Sequence, residues 1–186
     1  SPREADRILS GLVLEGLLAR EGILYSFAHA AARSVVYAAI PDVNRRRRHG
    51  KVAERLLLAG GRLEETAHHL FHSPEPRRAR EYLLRAGDRA RRIGALREAA
   101  LHYSRALEVT ESDGDRFEVL IHRQEVFGHL GRKDAQREDI ESLQHLAAAL
   151  GDPRREREAA MREASYLESL GRKREALDRL NHALEK

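Results

Sequence analysis

Ile93-Gly94-Ala95-Leu96-Arg97-Glu98-Ala99 recurs in altered form as Leu130-Gly131-Arg132-Lys133-Asp134-Ala135 and again as Leu170-Gly171-Arg172-Lys173-Arg174-Glu175-Ala176. Each copy reads aliphatic residue, glycine, short polar stretch, alanine. The glycines stand 37 and 40 residues apart. Self-similarity at such a period marks stacked helix pairs, in which each unit buries its apolar face against its neighbours. The glycine has a mechanical role. It follows a run of helical period, and a residue without Cβ takes the left-handed conformation that ends a helix. The small alanine beyond it lets the next helix approach closely. Ala99, Tyr103 and Ala106 are spaced by four and three residues, and Ala176, Leu180 and Ala183 repeat that spacing. Each set lies on one helix face and forms a seam for the preceding helix.

Upstream the pattern is less regular. Ile8, Leu9, Leu12, Val13, Leu17 and Leu18 give Ala5 to Arg20 a helical period that ends near Gly22. Ile23 to Phe27 is the one convincing strand-like stretch. His29 to Ile40 reads as helix and stops before Pro41, and a further helix runs from Asp42, a capping residue, to Ala59 before Gly60-Gly61. Leu63 to His72 is another, closed by Ser73-Pro74-Glu75-Pro76. A longer helix is expected from Lys133 to about Leu150.

Composition agrees with this reading. In 186 residues, 41% are hydrophobic and 34% charged, which suits a folded helical protein and is too apolar for a disordered one. Aromatics are 5% and Trp is absent, so the core is built mainly from Leu and Ala. There is no Cys, which excludes disulfides, thiolate metal sites and a cysteine nucleophile and fits a reducing cytoplasm. No window approaches the length of an apolar membrane span, and Ser1-Pro2-Arg3-Glu4 begins no signal peptide. The lack of an initiating Met reads as a piece of a longer polypeptide. The net charge of +4 is a weak field over a long surface, which permits nucleic-acid binding without arguing for it.

The repeated pattern resembles the tetratricopeptide repeat. Aligned on Gly94, the first copy supplies Leu83, Gly87, Ala90, Ala99, Tyr103 and Ala106. Aligned on Gly171, the third supplies Ala160, Ala164, Leu167, Ala176, Leu180 and Ala183. The middle copy is looser, with Leu120, Gln124, Phe127, Gln136, Ile140 and Leu143. The spacings exceed the family's usual period and the usual Pro after the second helix is missing, Glu111 standing there in the first copy. This is the pattern of the longer-repeat variant found in large bacterial regulators. The resemblance covers roughly residues 61–186 and implies a right-handed superhelical stack of antiparallel helix pairs.

A second resemblance covers residues 1–58. Tyr25-Ser26-Phe27-Ala28-His29, the helix from Ala30 through Arg33 to Tyr37, Arg45 to His49, and Ala53-Glu54-Arg55-Leu56 look like a segment of bacterial STAND-class signal-transduction NTPases and large LuxR-type regulators. There, a β-wing joins a winged-helix module to a helical-repeat arm. Ala31-Ala32 and Ser34 depart from the usual residues, and no G-x-x-x-x-G-K-[ST] occurs, so an ATP site would lie upstream. The expected organisation is therefore a winged-helix remnant with linker helices at 1–58 and helical repeats at 59–186, all-α apart from one short β-wing.

Candidate sites follow from spacing. Arg45-Arg46-Arg47-Arg48 offers phosphates a grip, although four arginines opening a helix fan around a full turn and more often face solvent. His68 and His72 are one helical turn apart with His69 between them, which could place two ligands on one metal. No H-E-x-x-H accompanies them, and surface or interface histidines are the favoured reading. His29 is expected to pack or hydrogen-bond at the wing–helix junction. Neither a nucleophile elbow nor paired acids with acid–base spacing are found, so no catalytic residue, metal or cofactor is expected.

In tetratricopeptide arrays the inward-facing residues of the first helices hold a peptide or another helix. By resemblance these are Leu84, Asp88, Arg91 and Arg92, then Ile121, Glu125 and His129, then Met161, Ser165 and Glu168. The expected function is a non-catalytic, cytoplasmic interaction and sensor scaffold. A protein or peptide would occupy the groove, with nucleic acid on Arg45–Arg48 as the alternative. A partner's binding would pass through the Tyr25–Tyr37 junction to an NTPase. Self-association is expected through an uncapped apolar face near Leu184-Glu185-Lys186.

Overall fold

The computed structural model describes residues 2–184, and the protein is all-α with one short β-hairpin. The uncapped face expected near Leu184-Glu185-Lys186 lies outside the residues whose side chains are described. Two compact units divide the chain, 1–48 and 49–186. Their boundary falls inside a helix, whereas the sequence places its division between 58 and 59, at that helix's end.

In the first unit, α1 (Pro2–Leu14) precedes β1 (Leu18–Glu21) and β2 (Leu24–Phe27), which pair antiparallel with Leu18 opposite Phe27 and Glu21 opposite Leu24. The helix expected to reach Arg20 thus ends six residues earlier, at Leu14. Leu17 and Leu18 fall on its period, but Gly16 at φ 72° turns the chain first. Gly22, at φ 62°, stands first in the two-residue connection, the position at which a type II′ hairpin turn requires glycine. α2 (Ala30–Ala39) follows and contains no buried residue. His29 stands at its N-cap, exposed, and its ring accepts no backbone cap bond. It is therefore not buried at the junction.

α3 (Asp42–Ala59) begins in the first unit and ends in the second at Gly60, φ 65°, with the Gly61 amide donating to the Leu56 carbonyl at 2.7 Å. α4 (Leu63–Phe71) leads through a single 3₁₀ turn at Pro76–Ala79 into three long pairs. These are α5 (Arg80–Arg92) with α6 (Leu96–Glu108), α7 (Asp113–His129) with α8 (Lys133–Leu150), and α9 (Pro153–Ser169) with α10 (Lys173–Leu184).

The three repeat turns share one geometry. Gly94, Gly131 and Gly171 have φ 77°, 70° and 78°, and the next amide donates to the carbonyl five residues back at 2.9, 2.9 and 3.0 Å. This six-residue closure around a left-handed glycine satisfies carbonyls the helix end would orphan.

From α4 to α10 the main helix contacts run in chain order, each helix packing on its neighbours in sequence. All six aligned positions of the first and second copies are buried. In the third copy Ala160, Ala164, Leu167 and Ala176 are buried and Leu180 and Ala183 half-buried. Tyr103 shows why small residues matter: it is fully enclosed, and Gly87 gives its ring room, since a Cβ there would fall 2.6 Å from Tyr103 Cε1. The looser middle copy substitutes polar contacts. Gln136 Nε2 donates to Gln124 Oε1 at 3.3 Å, and Arg123 makes a two-bond fork to Asp139 at 2.9 and 2.6 Å. Burial pushes the Asp139 carboxyl above its ordinary value while Arg123 opposes the shift.

Candidate functional site

None of the ten projected groove residues belongs to the core, although each neighbours buried positions on its helix. Leu84 and Ile121 are half-buried and pack against the core edge. Asp88 is committed internally: its carboxylate accepts the Tyr103 hydroxyl at 2.6 Å. Burial first, then Asp88, push the Tyr103 hydroxyl well above its ordinary pKa, so it remains a donor at any physiological pH.

Arg91 reaches across from α5 to Glu125 on α7 at 3.4 Å, and His129 Nε2 lies 4.0 Å from the same Glu125 oxygen. Asp88, Arg91, Glu125 and His129 therefore form one polar strip linking the first two pairs. The Arg91–Glu125 pair is about one-third exposed, and ion pairs of that kind contribute about 0–1 kcal/mol. Arg92, Met161, Ser165 and Glu168 are exposed. Among the described residues no hydrogen bond or ion pair ties the α9 trio to the strip.

Arg45–Arg48 lie in the first turns of α3, and two of the four share one carboxylate. Asp42 accepts Arg45 Nη2 at 3.3 Å and Arg46 Nε at 2.9 Å, and Arg45 lies 5.3 Å from the Tyr37 ring centroid. Arg47 and Arg48 are exposed, with no ion pair among the described residues.

A cluster of four histidines was only partly visible in the sequence. His68, His69 and His72 are joined by His49 of α3, which is 8% exposed. Ring centroids lie 4.9 Å apart for His49 and His69, 5.3 Å for His49 and His72, 5.5 Å for His49 and His68, and 4.6 Å for His68 and His72. The Nδ1 atoms of His49 and His69 meet at 2.9 Å. No group of three or more histidine, aspartate or glutamate residues among those described is arranged to hold a metal ion. The missed signal was His49 itself, placed on the buried side of α3 with Ala53 four residues later.

A cleft of about 220 Å³ lies elsewhere, among α8, α9 and α10. Ala147, Ala148 and Ala160 line it beside Arg157, Arg179 and His182, and Arg179 is paired with Glu163. No described helix is long and apolar enough to cross a membrane. Compared with known proteins, the chain matches no family model and no curated protein.

Proposed function

We propose that this chain is a non-catalytic protein-interaction scaffold, a regulatory segment of a larger signal-transduction or transcription-regulating ATPase. The observation that carries the reading is α2. Its residues are apolar enough for a core, yet none is buried, and Val35, Val36 and Tyr37 are 70%, 48% and 43% exposed. Leu24 of the hairpin adds a further 70% exposed side chain. Large apolar side chains left exposed together on one helix are covered in a working protein, by more of the same polypeptide or by a partner. The likeness of residues 1–58 to STAND-class junctions supports an ATPase as the neighbour. The likeness of 61–186 to tetratricopeptide repeats supports a protein or peptide ligand, met on the exposed residues Arg92, Met161, Ser165 and Glu168.

The test is capture from lysate with the whole chain as bait, beside V35E/V36E and R92E/M161E variants. All four side chains are exposed, so the changes leave the core intact. A discrete protein held by the chain and lost from either variant supports the scaffold. Retention by both variants, or recovery of nucleic acid alone, overturns it.

Nucleic-acid binding is the second reading, favoured by the exposed Arg47 and Arg48. It requires affinity that falls steeply with salt and drops in R47A/R48A.

A further inference from the structure

The four histidines occupy the seam between α3 and α4, and their arrangement has a property that no single one has. A contact between two imidazole nitrogens is a hydrogen bond only when one carries a proton and the other does not. His49 Nδ1 and His69 Nδ1, 2.9 Å apart, can therefore share one proton and no more. Once both rings are imidazolium, both nitrogens are donors and the bond is replaced by repulsion. His68 adds to this, its ring centroid 5.5 Å from His49 and 5.3 Å from His69, and His72 stands 5.3 Å from His49. Cations this close repel most where water is excluded, as at buried His49 and half-buried His69 and His72, while solvent screens the charge of exposed His68.

We propose that the His49–His68–His69–His72 cluster is a proton-operated latch that holds α3 on α4 at neutral pH and releases it on mild acidification. The surroundings favour the uncharged state. Burial holds His69 below the ordinary histidine value, and Glu65 on α4 opposes that shift. Glu54 of α3 accepts Arg78 at 2.5 Å, Glu64 of α4 lies 3.3 Å from Arg89 of α5, and Arg105 of α6 lies over the Phe71 ring. His102 on α6 is also held down, by burial first and then by Arg105, so it serves as the control titration.

The sign follows from linkage. A histidine whose folded pKa lies below its unfolded value stabilises the fold above that unfolded value, about 6.5, and the contribution is lost as pH falls from there toward the lower folded pKa. Besides His49, α3 is held by buried Ala53, by half-buried Leu57 against the core and by the Glu54–Arg78 ion pair. The helix so released is the one that runs from the first unit into the second.

Hydrogen exchange of the whole chain tests the latch, with rates corrected for intrinsic pH dependence. Between pH 7.5 and 5.5, protection of α4 amides should fall at least tenfold while that of α8 and α9 stays level. H69Q and H68Q/H72Q should flatten the α4 response, and H102Q should leave it. Equal responses in α4 and α8, or a step unchanged in both cluster variants, would overturn the proposal. Should the variants unfold, histidine Cε1–H titration of the unmodified chain by NMR decides the matter. Depressed, mutually dependent pKa values at His49 and His69 support the latch, and independent titration near 6.5 refutes it.

Discussion

Gly87→Ala separates intrinsic helix preference from packing. Gly87 lies inside α5, and in an unobstructed helix interior alanine is favoured over glycine by about 1 kcal/mol. Here the new methyl would stand 2.6 Å from Tyr103 Cε1 and 2.9 Å from both Cδ1 and Cζ. Those atoms belong to a rigid, fully buried ring whose hydroxyl is tied to Asp88 at 2.6 Å, so the ring cannot swing aside without losing that bond. Overpacking of this kind costs about 1–3 kcal/mol, and a hydrogen bond to a charged group contributes about 1.5–3 kcal/mol. Set against the propensity gain, the net is a loss of about 1.5–5 kcal/mol. For a chain of this length that is a melting-temperature drop of about 3–20 °C. Urea and thermal denaturation followed by circular dichroism measure it. Tyr103→Leu removes the obstructing ring, so the double variant should be less damaged than the two single losses added together. A rise in stability for Gly87→Ala, or strict additivity with Tyr103→Leu, would refute the close-packed seam. Gly11 is the contrast, because a methyl there meets nothing within 4 Å.

Arg123→Met should cost about 3–5 kcal/mol, since it strands the Asp139 carboxylate, only 4% exposed, without its partner. The deficit should shrink as pH falls from 7 to 5, because an acid whose folded pKa is raised regains stability as it protonates. Denaturation midpoints at both pH values check this, and a deficit independent of pH counts against it. Gly131→Ala should lose about 1–2 kcal/mol because its φ of 70° is left-handed, and Gly131→Asn should lose less. Equal losses for the two in chemical denaturation would place the cost outside the backbone.

The repeats were legible because their information is local. A glycine that ends a helix and an alanine that admits the next are each readable within a few residues, and all three turns close in the same way. The first helix was misjudged for a local reason as well: Leu17 and Leu18 continue an apolar period that Gly16 interrupts. The projected groove positions lie outside the core, and one of them, Asp88, accepts a hydrogen bond from Tyr103. That bond joins two helices across a turn, and no spacing rule connects its partners. His49 escaped for a similar reason. It lies 20 residues from His69, and only the folding of α3 back onto α4 makes them neighbours.

An array that packs in chain order has a graded stability, because each helix is held only by those beside it. The buried residues differ sharply along the chain. α6 buries Ala99, Ala100, Tyr103, Ala106 and Leu107, and α7 buries Phe117, Val119, Leu120, Gln124, Val126 and Phe127. α3 buries two residues and, among the described side chains of α10, only Ala176 is buried. Large apolar side chains contribute about 1.5–3 kcal/mol each when buried, so α6 and α7 should open only with the whole unit while α3 and α10 open alone. Native-state hydrogen exchange under low denaturant should therefore show α6 and α7 converging on the global unfolding free energy, with α3 and α10 well below it. Uniform protection across the helices would mean that the unit unfolds as one body. A latch at α3 could then act only by unfolding everything, whereas graded protection lets it work at the edge where the polypeptide passes from one unit to the other.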